Sequence, residues 1–195
     1  MILLLALVAG LLTGLAWARW RGHPYQAPEL LHLWLVFVAF LPQFVVIYLP
    51  MARGTFPAWL VAGYLLTSQI LLFGFAWVNR RIPGMPILIC GVVLNLAVMA
   101  ANSGFMPISP QTASRLFSEE RILDIPTGSR IGAKDILLRP QDTRFEWLAD
   151  RFLPPAWFPY QVAFSLGDVL IAIGAFWLLA KPKSSIQFKK RGIPL

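Results

Sequence analysis

Five apolar stretches fill about half of this chain, each long enough to cross a bilayer: Ile2–Ala18, Leu30–Leu49, Ala58–Val78, Met85–Ala101 and Tyr160–Ala180. At about 1.5 Å of rise per helical residue they extend roughly 25–32 Å, against a hydrocarbon core of about 30 Å. In such a chain the scarce polar side chains carry the information, because in lipid each must find a partner. The reading is an all-α, polytopic membrane bundle of five transmembrane helices with a small external helical loop domain. Residues 1–101 supply four helices, 102–159 the external domain, 160–181 the fifth helix and 182–195 a basic cytoplasmic tail.

Composition supports this. Hydrophobic residues make up 57% and charged residues 13%, where a soluble domain carries about 25% charged. The net charge of +8 would suit a nucleic-acid partner, but the distribution argues against one. Arg19, Arg21, Arg80, Arg81, Lys181, Lys183, Lys189, Lys190 and Arg191 flank the stretches, with no basic stripe or stacking platform. Only Arg53 lies between the second and third stretches, and 102–159 holds seven basic and seven acidic residues. Positive charge favours the cytoplasmic side. The N-terminus and 102–159 are therefore expected outside a bacterial cytoplasmic membrane, and the C-terminus inside. Trp17, Trp20, Trp34, Trp77 and Trp177 fall at the inner boundary, and Trp59, Trp147 and Trp157 at the outer, where amphipathic rings concentrate. The first stretch lacks a preceding basic region, so it reads as a retained helix rather than a cleaved signal. The single cysteine, Cys90, reads as a small buried hydrophobe.

Two helices are expected in the external segment. Ser109-Pro110 looks like an N-cap with proline at the first helical position, opening a helix to about Glu120. Thr143-Arg144-Phe145-Glu146 has the capping-box pattern, and the helix it would open ends at Pro154-Pro155. Phe145, Leu148 and Phe152 would share its apolar face, suiting an outer membrane surface or the top of the bundle.

Inside the stretches, Gln43 and Asn95 lie about 9 Å and Asp168 about 12 Å from the outer ends. They are expected to share one polar site, with Asn95 donating to the Asp168 carboxylate and Asn102 counted among the site residues. Gln69 lies nearer mid-membrane. The site is open to two readings, a ligand or catalytic site and a hydrogen bond joining two helices. Gly10 and Gly14 form G-x-x-x-G, and Gly167 and Gly174 thin the fifth helix, permitting close helix packing. His32 at the inner end of the second stretch could ligate haem or a chlorophyll-type pigment. The reading adopted is an ordinary hydrogen-bonded histidine, no cofactor and no metal site.

The run Asn95-Leu-Ala-Val-Met-Ala-Ala-Asn102-Ser-Gly104-Phe-Met106-Pro107, with Ser165-Leu-Gly167-Asp168 later, resembles a bacterial membrane family of unknown function (domain of unknown function five-three-one-seven). That resemblance implies no activity. A shorter one is to the lipoprotein signal peptidases, whose last helix carries F-N-x-A-D. Phe164-Ser165-Leu166-Gly167-Asp168 looks like that element, and Gly91-Val-Val-Leu-Asn95 looks like their G-x-x-x-N. It would make Asp168 a catalytic aspartate, but the second aspartate falls on Val98. An aspartyl peptidase needs two carboxylates sharing a proton, and neither external Asp124 nor Asp135 has the matching context to replace it.

The first expectation is therefore a non-catalytic protein, an accessory subunit of a larger membrane complex or a binder of lipid or a lipid-linked ligand. Its partners would be membrane lipid and other membrane subunits. The alternatives are a membrane hydrolase using Asp168 and a transporter component, the last weakened by the absence of an inverted repeat.

Overall fold

The computed structural model describes residues 2–48, 56–117, 122 and 124–181, with 42–48 as backbone alone. Four helices come first: α1 (Ile2–Trp20), α2 (Trp34–Tyr48), α3 (Ala58–Val78) and α4 (Met85–Ala101). Then follow β1 (Met106–Ile108), α5 (Pro110–Ala113), β2 (Arg130–Ile131), β3 (Asp135–Leu137) and finally α6 (Leu166–Ala180). The fold is mostly helical. Helices α1 and α3 are long and apolar enough to cross a membrane, and α4 and α6 are shorter apolar helices.

Helix α6 lies between α1 and α4, α3 packs on α4, and α2 packs on α3. Small residues decide this order. Gly10 and Gly14 of α1 rest on the backbone of Phe176 and Leu179, so α1 and α6 run parallel. Gly91 rests on Gly167, and Gly84 on Gly174, so α4 and α6 run antiparallel with glycine facing glycine twice. Added Cβ atoms would land on neighbouring main chain, and only glycine allows helices so close. The buried faces are correspondingly rich in Gly and Ala, while Leu4, Leu12, Phe37, Leu41, Ile70 and Trp177 point outward.

The expected all-α, helical external domain is corrected. The described residues of 102–165 form a cap built round a three-stranded sheet ordered β1-β3-β2. β3 pairs parallel with β1 (Met106↔Asp135, Ile108↔Leu137) and antiparallel with β2 (Arg130↔Ile136). The cap has its own core of Ile108, Ala113, Ile122, Ile131 and Leu137. A second cluster, including Val61, Leu65, Val98, Met99, Phe105, Met106, Ile136 and Leu148, joins it to α3 and α4.

Of the two expected cap helices, the first is shorter than its signal suggested and the second does not form. Ser109 does cap α5, its Oγ accepting from Thr112 N at 3.2 Å, but the helix stops at Ala113. No helix begins at Thr143. Its hydroxyl donates back to Arg139 O at 2.9 Å, and Phe145 adopts a left-handed φ of 55°. Short 3-10 turns at Pro140–Asp142 and Glu146–Leu148 replace the helix. Asp150 then pairs with Ile108, and Phe152 with Phe164, so the chain is extended where an amphipathic helix was expected.

The fifth stretch is also corrected. The helix begins at Leu166, six residues after Tyr160. Apolar residues at 160–164 belong to an extended strand-like approach, which hydropathy cannot distinguish from helix. Helix α2 starts at Trp34 rather than Leu30. His32 therefore sits in the preceding turn, exposed, with φ 54° and its ring edge-on to Trp34.

Candidate functional site: a polar junction beneath the cap

The first turn of α6 is the centre of the site. A helix N-terminus leaves four backbone N–H groups without partners. Asn95 lies six residues before the end of α4, so α6 starts about 9 Å below that end, with the cap above it. Side chains must satisfy its donors there. Ser165 and Asp168 form a capping box: Ser165 Oγ accepts from Asp168 N at 3.1 Å, and Asp168 Oδ2 accepts from Ser165 N at 3.2 Å. Asn95 closes the ring. Its Nδ2 donates to Asp168 Oδ1 at 2.8 Å, and Ser165 Oγ donates to its Oδ1 at 2.9 Å. Gly167 beneath makes the approach possible, because a Cβ there would collide with the Asn95 amide.

Of the residues expected to share a site, the structure brings Asn95 and Asp168 together. Asp168 lies in the first turn of α6, so the depth of about 12 Å inside a helix is corrected. Asn102 sits higher, at the C-terminal end of α4. Its Nδ2 donates to Val98 O (2.7 Å) and Arg144 O (2.9 Å), and its Oδ1 accepts from Arg144 N (3.0 Å). The amide thereby imitates a paired strand and pins the cap to α4. Gln43 lies in α2, and its side chain falls outside the described residues. Gln69 lies on α3 with a buried Oε1 that no described group meets. Cys90 is exposed on α4, which corrects its expected burial.

Two features were missed. Asn79, at the C-terminal end of α3, repeats the Asn102 device at the opposite end of the bundle. It donates to Leu31 O (3.0 Å) and Phe75 O (2.8 Å) and accepts from Leu31 N (2.9 Å). The signal was available: asparagine just after a long apolar helix is a C-terminal marker. The second is a charged cluster directly above Asp168. Lys134 Nζ reaches Asp150 Oδ2 at 2.5 Å and Asp135 Oδ1 at 3.7 Å. The Asp150 side chain is 0% exposed. Nothing local in the sequence joins residues 134 and 150.

Electrostatics follow from this burial. Loss of water disfavours the charge on Lys134, but Asp150, Asp135 and Asp168 outweigh it and hold the ammonium above the ordinary lysine range. Burial pushes Asp150 up to about 7, against the pull of Lys134 and with the repulsion of Asp135 and Asp168. Asp135 is raised for the same reason. Asp135 thus folds back to within electrostatic reach of Asp168. The position matching the second peptidase aspartate, Val98, is 0% exposed in the apolar junction. Among the described residues no three His, Cys, Asp or Glu side chains group as a metal site.

Fold and site define a class: a glycine-packed apolar helix bundle, roofed by a small mixed sheet, with a polar junction between them. The chain belongs to the family of unknown function DUF5317, whose model matches residues 28–180. It is also similar to an uncharacterized protein of Thermotoga maritima, 32% identical over 126 residues, or 62% of this chain. The chain spans 65% of that relative's length, so about a third of the relative has no counterpart in the match. No solved structure matches.

Proposed function

We propose that the chain is an integral protein of the bacterial cytoplasmic membrane, crossing it five times, with the cap outside and the C-terminus inside. It acts without catalysis, holding lipid or a lipid-linked ligand beside the cap, as an accessory subunit of a larger membrane assembly. The inverted surface of the helices supports the membrane placement. Large apolar side chains face outward and small ones inward, as expected where lipid is the solvent and close packing drives association. Charge supports the orientation. Arg21 stacks on Trp17 at 4.7 Å and Arg80 on Trp77 at 5.1 Å, both at the end away from the cap.

The observation that carries the non-catalytic reading is the use made of Asp168. Both of its carboxylate oxygens accept hydrogen bonds from the protein, one capping α6 and one tying α6 to α4, a structural use that supports this reading. Apolar open spaces lie on the helix surface. One groove of about 340 Å³ runs between the start of α1 and segment 153–164, past Ile2, Leu5, Pro154, Phe158, Tyr160 and Val162. It is large enough for part of an acyl chain.

The test is gentle detergent extraction of the full chain, followed by native mass spectrometry. Retained lipid or a second chain is expected, with retained lipid reduced in Val162→Trp, which fills the groove. A bare monomer, identical in Val162→Trp, would overturn the reading.

A further inference from the structure

Two carboxylate oxygens in the cap are buried and have no hydrogen-bond partner among the described residues: Asp135 Oδ1 and Asp150 Oδ1. Such atoms are rare in folded proteins, and each calls for a physical reason. The two belong to carboxylates that both reach one ammonium, that of Lys134, at 3.7 Å from Asp135 and 2.5 Å from Asp150. Two ionised carboxylates so placed repel, and one lysine cannot neutralise both together with Asp168 nearby. One proton resolves both difficulties. A carboxylic O–H on either residue donates to the orphaned oxygen of the other, satisfying two atoms and removing one charge.

We propose that Asp135 and Asp150 hold a single shared proton beneath Lys134, and that its loss to water loosens the cap, making the junction a sensor of pH on the cap side. The linkage runs through the backbone. Asp150 N donates to Pro107 O at 3.0 Å on one side of β1, and Lys134 O accepts from Met106 N at 2.9 Å on the other. Asp150 and the Lys134–Asp135 segment, which leads into β3 opposite Met106, therefore flank β1 on its two sides, and β1 sits on the α4 junction. Among the described residues the charged groups acting on the pair are Lys134 from the β2–β3 turn and Asp168 from α6. The neutral acid is the form the fold favours. Its contribution is complete below the ordinary carboxylate pKa of about 3.9 and is lost as pH rises through the folded value of about 7. The titration does not depend on which side of a membrane the cap faces.

The experiment uses the full chain in detergent micelles, with infrared difference spectra and thermal midpoints from about pH 5 to about pH 8. A protonated-carboxyl band is expected that disappears near neutrality and is absent from both Asp135→Asn and Asp150→Asn. In each variant an amide N–H stands in for the shared proton. The wild-type midpoint should fall as pH rises, and that of Asp135→Asn should stay flat. Asp135 is partly exposed, so its variant carries the test if Asp150→Asn fails to fold. A band that survives in Asp135→Asn, or no carboxyl titrating in this range, would overturn the proposal.

Discussion

Asn95 on α4 lies over Gly167 on α6 so closely that its amide oxygen occupies the place a Cβ at 167 would take. The hydrogen-bonded ring of Asn95, Ser165 and Asp168 exists because Gly167, just before Asp168, has no side chain. Gly167→Ala should lose about 2 kcal/mol or more, since overpacked sites shift neighbours at that cost. Gly74→Ala is the contrasting change, because no described atom lies within 4 Å of its Cβ position. It should be neutral or gain up to about 1 kcal/mol of helix propensity. Thermal unfolding of both in one detergent checks the pair; equal losses would contradict the close approach.

Ser165→Ala removes an acceptor for Asp168 N and a donor to Asn95 Oδ1. A lost N-cap costs about 0.5–2 kcal/mol, and Asn95 Oδ1 loses its donor while the Asn95–Asp168 bond remains. The expected result is a total loss of about 2 kcal/mol, with faster hydrogen exchange confined to the first turn of α6. Unchanged exchange there would show that the capping box does not hold the helix start.

The two C-terminal asparagines should fail at opposite ends. Asn102→Ala frees the backbone at Arg144 and should expose the cap near 139–146 to protease. Asn79→Ala frees Leu31 and should expose the loop before α2 instead. Each removes three hydrogen bonds, at about 1 kcal/mol apiece. Limited proteolysis with mapped cleavage sites distinguishes them.

Lys134→Met leaves Asp150 buried without a counter-ion. Lys134 is half-exposed while Asp150 is buried, so the loss should lie below the roughly 3–5 kcal/mol of a fully buried pair, and it is relieved where Asp150 takes up a proton. Destabilisation should therefore be greater at pH 8 than at pH 5, a difference read from chemical denaturation at the two values. Equal destabilisation would mean Asp150 is solvated.

The helices and one contact were legible because their signals are local or strongly constrained. Long apolar runs locate α1, α3 and α4, and an acid beside apolar helices implied a partner that Asn95 supplies. The start of α6 was missed because Tyr160–Phe164 is apolar but extended. Ser165-Leu-Gly-Asp168 is itself a capping-box pattern, and it marks the true start. The same pattern misled at Thr143–Glu146, where burial of Leu148 and Asp150 against the bundle outweighed local helix signals. The sheet was invisible because its strands are two or three residues long and pair across a gap of 29 positions, Met106 with Asp135. Lys134 and Asp150 meet only once that sheet has formed.

The measurement that bears most directly on the central claim, that Asn95 and Asp168 tie α4 to α6 as a structural unit, is a double-mutant cycle. Asn95→Ala, Asp168→Ala and the double variant would be unfolded in the same micelles. The account requires a coupling of about 1 kcal/mol or more between the two sites. Additivity within about 0.3–0.5 kcal/mol would contradict it.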